Sequence, residues 1–285
     1  MRAMCKHSMP LRIAAFMLCV ALCPIACHSG RKQAQLLAEA AHFSFMRFET
    51  PDYVLYGQLR EGTGSVLHVH LEGDGAAFLT RTRPSSDPTP QDPVALRIAV
   101  RHPGAVPVLY LGRPCQYVED ADARGCTEAV WTSGRMSEAA VRSISAALDQ
   151  AKQRTGTTQL ALYGFSGGGG IAALLAQRRS DVTFLGSIAG NLDHRFWTTS
   201  LHLTPLYASL NPMDGVGLTA HIPQLHLSGG KDRVISPDMA ERWCAALPPG
   251  SRCRHHHIAD MAHGGAWERI WPDLLTQERE RLSLP

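Results

Sequence analysis

Gln159-Leu160-Ala161-Leu162-Tyr163 runs straight into Gly164-Phe165-Ser166-Gly167-Gly168, and an Ala/Leu-rich stretch from Gly170 to Arg178 follows. The first segment is mostly apolar and suits a buried strand, and the last suits a helix. No linker separates them, so the chain must reverse within one turn. Small residues at 164 and 168 let strand and helix approach that closely, and the serine at the bend is held in strained backbone geometry. The spacing is G-x-S-x-G. A flexible glycine connector over 167–170 is the alternative, and the strand before and helix after argue against it. Such a bend lifts the hydroxyl to the sheet edge and aims the helix N-terminus at any anion forming there.

Outward from this bend, strand and helix patterns alternate. Tyr53–Leu59, Val66–Leu71, Val106–Leu111, Val182–Ala189, Leu225–Ser228 and Arg254–Ile258 read as strands. Helical spacing covers Gln33–Ala41, Val94–Arg101, Ser137–Arg154 with Ser137 as N-cap, Pro237–Leu247 and Trp267–Arg281. Four prolines between Arg81 and Pro93 require an irregular loop there. This alternation predicts an α/β fold: a mostly parallel, doubly wound sheet with helices on both faces. Residues 28–285 form one domain. Residues 192–222 lack clear periodicity and are expected to form a small cap-like insertion, with Trp197, Leu201, Leu206 and Tyr207 as apolar pocket candidates.

A serine hydroxyl is a poor nucleophile until a base removes its proton. Asp232 follows the strand ending at Ser228, and His263 lies in a Gly-flanked loop after the last strand. The order serine, acid, histidine, each just past a strand, fits a catalytic set of Ser166, Asp232 and His263. Asp193, after the Val182–Ala189 strand, is the alternative acid, and Asp260 is too local to orient His263. His255, His256 and His257 alternate along a strand and read as packing or surface residues, as do His68 and His70. An acyl-transfer site also needs N–H donors for a developing oxyanion. Gly167 supplies one, and Asp74, with Gly75 next, supplies the other from Glu72-Gly73-Asp74-Gly75 after the Val66–Leu71 strand. The carboxylates of Glu72 and Asp74 must then point away or be paired. Arg81 and Arg83 are placed to pair them, to bind an acidic substrate group, or to stay solvated.

Together these residues resemble the α/β-hydrolase superfamily over roughly residues 50–280. Gly73-Asp74-Gly75, Arg113-Pro114-Cys115-Gln116-Tyr117 and Gly190-Asn191-Leu192-Asp193-His194 also resemble segments of exported bacterial members. The resemblance implies an acyl-serine intermediate hydrolysed by water, with no metal or organic cofactor. The expected activity is a serine hydrolase, carboxylesterase-like, acting on a small-molecule ester. A peptidase or amidase with the same triad, or a non-catalytic binding protein on this fold, is the alternative.

The net charge of +3 over 285 residues comes from Arg2, Lys6 and Arg12, which precede any acid. The remainder is neutral and has no Lys/Arg run, which excludes an electrostatic nucleic-acid binder. No partner protein is implied. The basic start leads into an uncharged run from Ile13 to Cys27, too short to span a membrane, and residues 1–27 read as a signal peptide. Pro24-Ile25-Ala26-Cys27 resembles a lipobox, in which Cys27 becomes the lipidated first residue and ties the protein to a membrane; plain cleavage after Cys23 is the alternative. Either outcome places the chain outside the cytoplasm, in the periplasm or cell envelope or secreted. Cys115, Cys126, Cys244 and Cys253 fall beyond the signal as two close pairs, expected to bond locally as 115–126 and 244–253 although three pairings are open. Neither pair has CxxC spacing, so a zinc site is disfavoured.

Overall fold

The computed structural model describes residues 30–282, so the signal segment and Cys27 lie outside the described residues. Eight strands among them form one sheet: β1 Ser44–Glu49, β2 Val54–Arg60, β3 Val66–Leu71, β4 Val108–Leu111, β5 Gln159–Phe165, β6 Val182–Ile188, β7 Gln224–Gly229 and β8 Cys253–Ile258. Their order is β1-β2-β4-β3-β5-β6-β7-β8. The first two pairings are antiparallel and the remaining five are parallel.

Helices cover both faces. On one side α4 (Glu138–Thr155), α5 (Gly167–Ala176) and α7 (Asp238–Ala246) bury Ile144, Leu148, Ile171, Leu175 and Trp243 against the sheet. On the other, α1 (Gly30–Ala40), α2 (Val94–Ala99) and α8 (Trp267–Arg281) contribute Ala34, Leu96, Ile98, Trp271 and Leu275. Two short helices, α3 (Glu128–Trp131) and α6 (His194–Ser200), lie in the connections. Ser137 caps α4, its hydroxyl accepting from the Ala140 N–H, and Gly156 closes that helix in the left-handed conformation.

Buried on both faces, the central strands read as near-continuous apolar runs. The polar exceptions are partnered. His68 Nδ1 lies 3.1 Å from the Tyr163 hydroxyl, and His70 Nε2 lies 3.0 Å from His102 Nδ1. His226 sits between Ser187 and Gln224, and burial pushes its pKa down to about 3, so it packs as a neutral ring. β1 is a strand that the sequence pattern does not announce. It is the edge strand, only Phe48 among its residues is buried, and its alternation is correspondingly weak. The bend after β5 is also tighter than expected: β5 runs on through Phe165, and α5 begins at Gly167, three residues ahead of Gly170.

Both disulfides are local. Cys115–Cys126 closes the loop after β4, and Cys244–Cys253 ties α7 to β8, with Cα separations of 5.6 and 5.7 Å. Cys244 and Cys253 also lie near His226, but their sulfurs are bonded to each other and the histidine is fully hydrogen-bonded. No helix among the described residues is long and apolar enough to cross a membrane. Each small ring constrains the unfolded chain. Replacing both Cys244 and Cys253 by serine is expected to lower the unfolding free energy by roughly 3 kcal/mol in urea titrations.

Candidate active site

Ser166 stands between β5 and α5 with φ 51° and ψ −123°, a conformation that costs a non-glycine residue about 1–3 kcal/mol. Its backbone is held on both sides. The N–H donates to the Ile188 carbonyl (3.0 Å), and the carbonyl accepts from Gly169 (2.9 Å) and Asn191 (2.8 Å). Gly164 has to be glycine, because a Cβ there would collide with the Gly168 carbonyl oxygen. The close approach of strand and helix leaves the serine no other course.

His263 and Asp232 reach this serine from two neighbouring strands. Beyond β8, Ala259 to Gly265 turns back, fixed by Lys231 N–H donating to the Met261 carbonyl and the Trp267 indole donating to the His263 carbonyl. His263 Nε2 lies 3.0 Å from Ser166 Oγ, and its Nδ1 lies 2.8 Å from Asp232 Oδ2. The Asp232 carboxylate is 1% exposed, and its other oxygen accepts from the N–H groups of Val234 (2.7 Å) and Ile235 (2.9 Å). It is therefore clamped in one orientation, with a single oxygen presented to the imidazole.

The loop after β3 passes under the same serine. Gly73 lies against Ser166 and Phe165, and its N–H is taken by Glu72 Oε1 (3.0 Å). The N–H groups of Asp74, Gly75 and Gly167 engage no protein acceptor among the described residues. Gly75 has φ +62°, and a side chain there would strike the Pro88 carbonyl, so the turn demands glycine. Glu72 is fully buried, and burial pushes its pKa up to about 7 against the Gly73 N–H, the Tyr110 hydroxyl (3.0 Å) and the Ala95 N–H. The Asp74 carboxylate lies against Gly167. Burial alone would raise its pKa, but Arg135 (2.6 Å) and Arg113 (3.4 Å) outweigh that and hold it ionised. The partners of the two acids are thus neither Arg81 nor Arg83. Arg81 instead donates to the carbonyls of Leu201 and His202, and Arg83 forms no ion pair among the described residues.

The sequence assigns Arg113 and Arg135 no role because Arg113 lies in the irregular stretch after β4 and Arg135 in the turn after α3, 39 and 61 residues from Asp74 with no spacing relation to it. Gln116 is a third such residue, bracing the loop by donating to the Gly73 carbonyl (3.0 Å).

The other acid candidate lies elsewhere. Asp193 caps α6 and accepts from the Phe196 N–H and the Asn211 amide (3.0 Å). Asp260 is exposed and pairs with Lys231. His255 contacts Ser228, and His256 contacts Glu278. A cavity of about 830 Å³ opens over Ser166 and His263. Trp197, Leu206 and Tyr207 line it, but Leu201 does not. Its side chain is turned outward, 38% exposed.

The raised carboxyl of Glu72 has a thermodynamic consequence. An ordinary Glu titrates near 4.5 and this one at about 7, so its proton favours the folded state; that stabilisation is complete below about 4.5 and lost as pH rises to about 7. Between those limits the wild type is expected to lose on the order of 3 kcal/mol relative to Glu72→Gln, measured from urea midpoints at each pH. A constant difference between the two proteins across that range would show that Glu72 is ionised throughout.

No protein-family profile and no curated protein matches the chain. Solved structures do. Est1E from Butyrivibrio proteoclasticus superposes with a TM-score of 0.62 at 12% identity, covering 85% of this chain and 99% of that one. An α/β serine hydrolase without lid from Xanthomonas campestris gives 0.56 at 14% identity, covering 84% and 94%. An acylaminoacyl peptidase from Pyrococcus horikoshii gives 0.60 at 12% identity over 84% of this chain, which spans 41% of the peptidase's length. The strand order, the parallel core and these superpositions together show that the chain has the α/β-hydrolase fold.

Proposed function

We propose that this chain is a serine hydrolase that cleaves carboxylic esters of small molecules through an acyl-serine intermediate. One observation carries the reading: a single imidazole bridges Ser166 Oγ at 3.0 Å and a buried, clamped carboxylate at 2.8 Å. Nδ1–H donated to Asp232 fixes the tautomer that leaves Nε2 free to accept. Ser166 Oγ attacks the ester carbonyl carbon while its proton passes to His263 Nε2, and Asp232 stabilises the imidazolium. The carbonyl oxygen becomes an oxyanion held by the N–H groups of Gly167 and of Asp74 or Gly75, at the N-terminus of α5. As the intermediate collapses, the C–O bond to the alcohol breaks and His263 returns the proton to the departing oxygen. Water, deprotonated by the same nitrogen, then attacks the acyl-serine, and Ser166 leaves reprotonated. Residues 192–222 act as a small cap, shaping the pocket through Trp197, Leu206 and Tyr207.

Incubation with a fluorophosphonate probe and a short-chain nitrophenyl ester tests this. Labelling and turnover should vanish in Ser166→Ala, and unchanged turnover in that variant would defeat the mechanism. Asp232→Asn is expected to lower kcat by roughly 10⁴-fold, since the wrong tautomer faces the serine, whereas Asp193→Asn should leave kcat near wild type. Turnover of anilides but not esters would transfer the reading to amidase chemistry.

We also propose that the protein works outside the cytoplasm in the cell envelope, tethered through a lipid on Cys27. The two disulfides and the N-terminal pattern support this reading. Mass spectrometry of protein from its native membranes should find Cys27 as an acylated N-terminus. An unmodified N-terminus at Pro24 would instead indicate plain secretion.

A further inference from the structure

Of the eight large hydrophobic side chains exposed among the described residues, three line the cavity, Phe78, Tyr207 and Val234, and two more, Leu79 and Leu201, lie on segments that bound it. Leu79 adjoins Phe78, and Arg81 joins the Leu201 carbonyl to the same loop. Tyr207 is 81% exposed and Leu79 59%. Clusters of this kind mark surfaces that meet another apolar phase. The same loop carries two exposed cations, Arg81 and Arg83, neither held in an ion pair among the described residues. Of the exposed carboxylates nearby, Asp92 pairs with Arg97, and Asp87 accepts from the Thr89 N–H, leaving the loop one net positive charge.

The first described residue lies against one wall of the same cavity. Gly30 packs against the Pro90 carbonyl, and Pro90 lines the cavity. Cys27 precedes Gly30 by three residues, a reach of at most about 11 Å. A lipid on that cysteine would hold the cavity mouth close to a membrane.

The geometry points to docking of this mouth on an anionic lipid bilayer. Phe78, Leu79, Leu201, Tyr207 and Val234 enter the boundary between headgroups and acyl chains, while Arg81 and Arg83 meet the phosphates. An aromatic such as Tyr207 suits that depth, and each arginine adds about fivefold to partitioning on an anionic surface. Resting on the serine-hydrolase reading, the consequence for substrate is an acyl ester taken from the bilayer. The apolar rim covers its chain as it passes to Ser166.

The test uses the non-lipidated chain from His28 onward, which holds every described element, sedimented with vesicles. Phosphatidylcholine vesicles containing phosphatidylglycerol should carry it down about 25-fold more strongly than phosphatidylcholine alone. Neither residue of the paired change Leu79→Ser and Arg83→Glu lines the cavity. The change should cut vesicle binding about tenfold while turnover of a soluble short-chain ester stays at the wild-type rate. Absence of vesicle binding, equal binding to both vesicle types, or undiminished binding by the variant would overturn the proposal. So would a dimer in gel filtration that this variant dissociates, because a second copy would then be what covers the mouth. Ser166→Ala should bind vesicles as wild type does and lose turnover; turnover retained in that variant with vesicle binding intact would count against the hydrolase reading alone.

Discussion

The backbone of β5 runs so close to the first turn of α5 that residue 164 has no room for a side chain and residue 166 is held at a positive φ of 51°. The rest of the site is arranged around that bend. The strain at Ser166 is offset by three backbone hydrogen bonds, one donated to the Ile188 carbonyl of β6 and two accepted from the N–H groups of Gly169 in α5 and Asn191 in the loop after β6. Because the serine cannot relax, its oxygen occupies a fixed point above the sheet edge. A single imidazole at the end of β8 can then meet it while resting on a carboxylate at the end of β7. Parallel strands make this possible, since their C-terminal ends all open on the same side.

The loop after β3 shows how the fold tolerates acids beside a site that would gather negative charge. Glu72 is fully buried, and desolvation raises its pKa to about 7 although the hydroxyl and N–H donors around it favour the charged form. Asp74 takes the opposite course and is held ionised between Arg113 and Arg135. Those two guanidiniums cancel its field and tie the loop to segments that begin after β4 and α3. The Cys115–Cys126 disulfide and Gln116 brace the same contact from beneath. Removing Asp74 would leave two buried guanidiniums without a carboxylate.

Much of this was legible in the sequence, for a physical reason. Strand and helix periodicity are local, so seven of the eight strands and the course of the main helices could be placed to within a few residues. The bend at Gly164–Gly168 carries its own steric signature. The order of Ser166, Asp232 and His263 follows from each lying just past a strand, and in a parallel sheet that is enough to bring them to one edge. The edge strand β1 was silent because only one of its faces meets the core.

What tertiary structure alone decided were contacts between segments with no periodic or spacing relation. Arg113 and Arg135, rather than Arg81 and Arg83, neutralise Asp74. Asp193 caps a helix instead of orienting an imidazole. Leu201 faces outward, and exposed Phe78, Tyr207 and Val234 meet at the rim of one cavity. Sequence determines which residues are available and which local geometry each can adopt. Which charges meet, and which apolar groups remain uncovered, depends on how distant loops pack, and loop packing answers to shape and excluded volume that no local pattern encodes.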